Sequence, residues 1–317
     1  MAKLRGCTCI LADSDDYNTN GHKRVKSNTT PDDRLSALPD FLILHILSFL
    51  STEEVVKTCL LSKRWQFIWT GISKVDLSVH SSDPAKIRRF VDLVGRMVVM
   101  CRGLNKFAVN LNYEKCFASN VDFWVECVVK NKVKDITLIC RGDDYELPQM
   151  LYSYSSLTNL TLYSCDLAPR GAIEWGSLKS LSIEGVKLLD CVMEKILGCP
   201  VLEILNLQEC WGFDCLNICS PNLTTLVLVD FEDFGNEFVE ILAPYLLDLS
   251  ITEHVKGMRF GLKNVSSVVR ANLEFVGLAN DERDVYTSPN TMIYINQLFQ
   301  SLQSVKELEL GLQCIEV

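Results

Sequence analysis

The side chains best suited to bond chemistry are few and scattered. Four histidines, His22, His45, His80 and His254, are separated by long stretches of the 317-residue chain, and none has the surroundings of a nucleophile and its base. No dinucleotide-binding glycine turn, phosphate loop or His-Glu-x-x-His helix occurs. Among 14 cysteines, Cys210, Cys215 and Cys219 come nearest to a zinc spacing. A zinc site takes four ligands, usually as Cys-x-x-Cys pairs or with histidine, and neither stands nearby. The residues therefore imply no catalytic centre, no metal and no cofactor.

The chemistry that the spacing does support is recognition. Polar and small side chains alternate with leucine in short runs, first as Asn159, Thr161 and Tyr163, then as Ser180, Ser182 and Glu184. The series continues through Ile204, Asn206 and Gln208, then Thr225, Val227 and Val229, then Asp248, Ser250 and Thr252. Period-two alternation puts each such set on one face of a strand, with the leucines on the other. These sets contain amides, hydroxyls, small apolar groups and carboxylates but no Lys or Arg, which suits a protein or peptide ligand and not a phosphate backbone. Asn159, Thr161, Tyr163, Ser182, Glu184, Asn206, Gln208, Val227, Val229, Ser250 and Thr252 are the expected substrate contacts.

The elements that must carry this strip follow from an internal repeat, L-x-x-L-x-L-x-x-(N/C)-x-L. Leu157, Leu160, Leu162, Cys165 and Leu167 fill it, as do Leu178, Leu181, Ile183, Val186 and Leu188. Central leucines at 160, 181, 205, 226, 249 and 273 are spaced by 21, 24, 21, 23 and 24 residues. A weaker unit lies near Val305. More widely spaced strands are expected at 75–79, 107–111 and 133–139, with helical patterns through Ile87 to Val98 and Val121 to Val128. Such units bury their apolar faces only by stacking, so residues 74–317 are expected to form one solenoid. Its parallel sheet should be concave and offer the strip to a ligand. Cys165 and Cys210 then occupy a small buried position of the repeat.

Ahead of the repeats, residues 1–31 are polar and read as a disordered tail, with a short basic cluster around Lys23 to Lys26. From Leu35 the composition turns apolar. Pro39 and Asp40 suit the start of a helix of about three turns. Leu42, Ile46, Phe49 and Leu50 lie on one side of it, and Ile43, Leu44 and Leu47 on the other. Ser51 and Glu54 have capping-box spacing and open a second helix. A third helix is expected from near Ser62 through Trp69. About forty residues cannot bury both faces of the first helix, so the surplus must meet the repeats or another protein.

The run Asp33 to Asp40, then Ile46 to Leu50, then Thr58 to Trp65 with Trp69, closely resembles the F-box of the plant F-box/leucine-rich-repeat family. The resemblance implies an α/β chain: a three-helix F-box over 32–73, then a repeat solenoid with helices or irregular crossings on its convex side. It implies docking to a Skp-type adaptor, and through it to a cullin-RING ubiquitin ligase. By matching positions, Leu38, Pro39, Leu42, Ile46, Leu47, Leu50, Leu60, Leu61, Ser62, Arg64, Trp65 and Trp69 would make that contact. Ser51 stands where many relatives carry Pro. A repeat scaffold or inhibitor without ligase association remains the other reading. Relatives often continue into a further C-terminal domain where this chain stops, and the segment Val305 to Val317 reads as a strand running to the end without a polar cap.

Composition excludes further classes. A net charge of -9 disfavours a nucleic-acid surface, and no apolar run approaches a membrane span. With no secretory signal pattern and cysteines outside a small secreted framework, the expected setting is a reducing one, nucleus or cytoplasm.

Overall fold

The computed structural model describes residues 37–213, 215–231, 238–254, 259–276 and 296–311. The expected tail at 1–31, His22, the basic cluster and residues 312–317 lie outside the described residues.

The chain opens with α1 (Asp40–Leu47) and α2 (Thr52–Lys57). Ser51 caps α2 as its spacing predicts: its hydroxyl accepts the Glu54 amide at 3.3 Å, and the Glu54 carboxylate accepts the Ser51 amide at 3.0 Å. These hydrogen bonds hold the Glu54 carboxyl below its ordinary range. The expected three-turn first helix is eight residues long. The expected third helix is replaced by turns over 61–67 and a single tight turn at Ile68–Gly71. The buried indoles of Trp65 and Trp69 fit this compact path, and Trp69 Nε1 donates to the Gln66 carbonyl at 2.9 Å.

Then follow β1 (Lys74–Val79), α3 (Pro84–Met100), β2 (Lys106–Tyr113), α4 (Ala118–Lys130) and β3 (Asp135–Gly142). Asp83 caps α3 and Pro84 starts it, and the helix buries Ile87, Phe90, Val91, Val94, Met97 and Val98, a 3.6-residue stripe. Shorter units continue with β4 (Tyr145–Glu146), α5 (Gln149–Tyr152), β5 (Asn159–Tyr163), β6 (Cys165–Asp166), β7 (Ser180–Glu184) and α6 (Asp190–Leu197). The last are β8 (Ile204–Gln208), β9 (Cys215–Cys219), β10 (Thr225–Val229), β11 (Phe238–Leu242), β12 (Asp248–His254), β13 (Arg259–Lys263), β14 (Arg270–Val276) and β15 (Glu307–Leu310).

Ten strands form one parallel sheet in the order β1-β2-β3-β5-β7-β8-β10-β12-β14-β15. Each strand step returns in register, so Leu160, Leu181, Leu205, Leu226, Leu249 and Ala271 form one inward row; Leu273, expected in this row, instead pairs with Ile251 two positions on, so the last step is 22 residues and not 24. On the far side the earlier units cross through the expected helices α3 to α6, and the later ones differ. After α6, the return segments β9, β11 and β13 pair in parallel as a second sheet, turning Leu216, Ile218, Val239 and Ile241 inward. The alternation over 215–219 is short and flanked by cysteines, so its period-two pattern is easily passed over.

One apolar core runs from Ile43 through the solenoid to Leu302. The Thr52 hydroxyl accepts the Asp76 amide of β1 at 2.9 Å, and the Arg102 amide donates to the Thr70 carbonyl at 2.9 Å. The helical module therefore closes the first edge of the sheet and shares the core of the repeats.

Candidate interaction site

Two surfaces stand out. The first lies on the helical module, where α1 turns Ile43 and Leu47 into the core and leaves Leu42, Ile46 and Leu50 about 40% exposed. Leu60 and Leu61 after α2 are more than 60% exposed, and Pro39 is exposed beside the half-buried Leu38. Arg64 bridges this region, donating to the Leu38 carbonyl and pairing with Asp40 at 2.6 Å. Ser62 is half-buried. Three residues expected at the contact, Leu47, Trp65 and Trp69, are instead within the core at 1%, 4% and 5% exposure. They fill the inside of the module and hold the outer residues apart. Three aromatics that residue matching omitted, Phe41, Phe49 and Phe67, are more than half exposed. Phe41 and Phe49 are eight residues apart with His45 between them, so they extend the same helical stripe.

The second surface is the outward face of the ten-stranded sheet. Every expected substrate contact lies on it, half-buried, between inward leucines. Register aligns them in rows across the strands: Thr137, Thr161, Ser182, Asn206, Val227, Ser250 and Asn272 form one row. Ile139, Tyr163, Glu184, Gln208, Val229 and Thr252 form the next. The face is not free of cations, as the strip read alone suggests. The Arg141 guanidinium stands 4.8 Å from the centre of the Tyr163 ring, a cation–π geometry, and its Nε donates to Asn110. Burial raises the Glu184 carboxyl, with the Glu209 charge adding to it and Arg141 opposing. Further along, Arg270 Nε donates to Asp248 at 2.6 Å. Arg141 sits on a strand whose preceding neighbour departs from the regular spacing, whereas Arg270 follows its partner Asp248 by 22 residues, within that spacing.

Cys165 and Cys210 are buried and their thiols donate to the carbonyls of Tyr163 and Gln208, closing the turn after each strand. Among the described residues no three His, Cys, Asp or Glu side chains converge as a metal site, and no helix is long and apolar enough to cross a membrane.

A short helical module bearing an exposed apolar stripe, fused to a solenoid with a broad polar face, defines a leucine-rich-repeat protein with an N-terminal helical module. Residues 35–75 match the F-box domain, and residues 121–316 match the LRR repeats of the FBD-associated F-box protein At5g56370. The chain belongs to the plant F-box/leucine-rich-repeat family. It is 28% identical over 285 residues to the F-box/LRR-repeat protein At5g02910 of Arabidopsis thaliana, covering 88% of this chain and 60% of the relative. It is 32% identical over 260 residues to the F-box/FBD/LRR-repeat protein At5g56420 of the same plant, covering 77% and 60%. The chain thus spans about three fifths of the length of these relatives.

Proposed function

We propose that this chain is a substrate-recognition subunit of a Skp-cullin-F-box ubiquitin ligase. The module at residues 37–73 docks a Skp-type adaptor and the repeat face holds a protein substrate. The observation that carries the reading is the stripe of Phe41, Leu42, Ile46, Phe49 and Leu50, flanked by Leu60 and Leu61. These side chains stay in solvent although the core beneath them is already filled by Leu47, Trp65 and Trp69. An apolar stripe beside a filled core marks a protein interface. The chain performs no bond chemistry in this scheme. Because the module and the repeats share one core, a bound substrate is held at a fixed place relative to the ligase, which raises the effective concentration of its lysines near the ubiquitin-charged enzyme. The setting that goes with this role is the nucleus or cytoplasm, and the free thiols, including exposed Cys191, Cys215 and Cys219, fit a reducing compartment.

Capture of a purified Skp-type adaptor tests the reading. Wild type should bind, and the double change Leu42→Asp with Ile46→Asp should weaken binding at least about tenfold, because it buries charge at the centre of the interface. Both positions are exposed, so folding should survive. No capture by wild type, or equal capture by the variant, sinks the proposal and favours a repeat scaffold without ligase association.

A further inference from the structure

The outward face of the sheet is electrically uneven along its length. Among the described side chains pointing outward from the main-sheet strands β1, β2, β3, β5, β7 and β8, Lys74, Lys106 and Arg141 balance Asp76, Asp135 and Glu184. On β12, β14 and β15, the main-sheet strands that follow, Asp248, Glu274, Glu307 and Glu309 are set against Arg270 alone. In the first half the charges neutralise each other locally: Lys74 pairs with Asp76 at 2.9 Å and Lys106 with Asp135 at 3.2 Å. In the second half Arg270 is held by Asp248 at 2.6 Å, and the glutamates of β15 have no cation on the next strand inward other than Arg270.

The same half of the face is indented. A groove of about 380 Å³ crosses β10 to β15. Its floor is made by short outward side chains, Thr225, Val227, Ser250 and Asn272; the Asp248–Arg270 pair lines it as well, and Glu307 and Glu309 form its far wall. Short residues in the middle rows and long side chains toward the far side give a trough with a net acidic charge, the carboxylates of Asp248, Glu307 and Glu309 against the single cation Arg270. Glu307 and Glu309 are two positions apart on one strand, about 7 Å, which is also the repeat of same-side residues in an extended peptide.

We propose that this groove is the part of the repeat face that contacts the ligand, and that its occupant is an extended protein segment in which lysine or arginine alternates with small or apolar residues. The basic side chains meet Glu307 and Glu309, and the intervening backbone lies over the floor of Thr225, Val227, Ser250 and Asn272. Complementary charge would guide the encounter and fix the register of the segment. A second copy of this chain fits the groove poorly, since its own corresponding wall is acidic and like charges facing each other across the contact are unfavourable. The inference rests on the reading that the repeats capture a protein, and it names the chemistry of that protein's contacting segment.

The test uses the full chain and two fluorescent synthetic peptides, one alternating lysine with valine and one with glutamate in place of lysine. Fluorescence anisotropy should show binding of the lysine peptide alone, weakened at least about tenfold between roughly 50 and 300 mM salt. Two variants separate charge from shape. Glu307→Gln with Glu309→Gln should weaken the lysine peptide about tenfold or more, and Ser250→Trp, which fills the floor and leaves the carboxylates in place, should do the same. If wild type does not bind the lysine peptide, binds the glutamate peptide equally, or loses nothing in either variant, the proposal is overturned. Weakening by the glutamine pair alone would mean diffuse attraction without a groove, and it also overturns the proposal. Both variants leave the helical module untouched, so adaptor capture is measured in parallel. Loss of adaptor capture by wild type speaks against the ligase role, whereas peptide failure with capture intact speaks against the groove.

Discussion

The Thr52 hydroxyl, on a residue only 5% exposed, accepts the Asp76 amide that would otherwise end the sheet unpaired. A part-buried amide left without a partner costs about 1 kcal/mol. Thr52→Val should therefore lower stability by about that amount in denaturant unfolding, and Thr52→Ser should recover most of it. Equal stability of the valine and wild-type proteins would remove this hydroxyl from the account. The thiols act at the same scale. Burial pushes Cys210 up to about 12 from its ordinary 9. A raised folded value means the stabilisation from the buried neutral thiol is fully present below pH 9 and is lost as the pH rises toward 12. In the folded protein, alkylation read by mass spectrometry should modify Cys191, Cys215 and Cys219, which are exposed, and spare Cys165 and Cys210 until the chain unfolds. Rapid labelling of Cys210 in the native protein would contradict its place in the core.

At the scale of elements, the repeat unit is closed by one recurring turn. Ser164, Gly185, Glu209 and Asp230 follow β5, β7, β8 and β10 with φ of 50°, 62°, 47° and 44°. The amide of each donates to a carbonyl of the next strand, at 2.9–3.0 Å. The left-handed backbone is what turns the amide toward its neighbour, so the strain recurs with the repeat. Only one of the four is glycine, which is why the turn leaves little mark in composition. Gly185→Ala should cost about 1 kcal/mol, since an added Cβ meets nothing closer than 3.5 Å and the penalty is backbone strain alone. Gly142 differs: at φ 110° an added Cβ would stand 2.8 Å from the Tyr113 carbonyl oxygen. Gly142→Ala should cost about 2–3 kcal/mol, with thermal unfolding ranking the two variants. A reversed order would refute the assignment of strain to backbone approach.

For the whole molecule, the shared core makes the helical module the first cap of the solenoid as well as the proposed docking surface. Val75 and Leu77 of β1 are at most 2% exposed, and α2 lies against that strand. A chain starting at residue 74 should therefore show faster hydrogen exchange at β1 amides, a lower midpoint of thermal unfolding and a tendency to self-associate through the uncovered edge. Unchanged exchange at Asp76 would mean that the solenoid needs no such cap.

The sequence by itself determined the repeat, its inward leucine rows, the outward strip, the Ser51–Glu54 cap and the apolar surplus of α1, because each is a local periodicity or a spacing of a few residues. Short-range pattern also reached the alternation of buried and exposed positions in β5, β7, β8 and β10. The second sheet, the compact turns around Trp65 and Trp69, and the burial of Leu47 were decided in three dimensions. Which apolar side chain faces inward in a short module depends on what else is available to cover it, and that cover comes from residues far along the chain. The face changed most. Arg141 reaches Tyr163 from a neighbouring strand, and the carboxylates of β15 come to stand beside Arg270, whose partner Asp248 lies one strand further in. Charge balance across a sheet is a property of the ladder, and no stretch of sequence contains it.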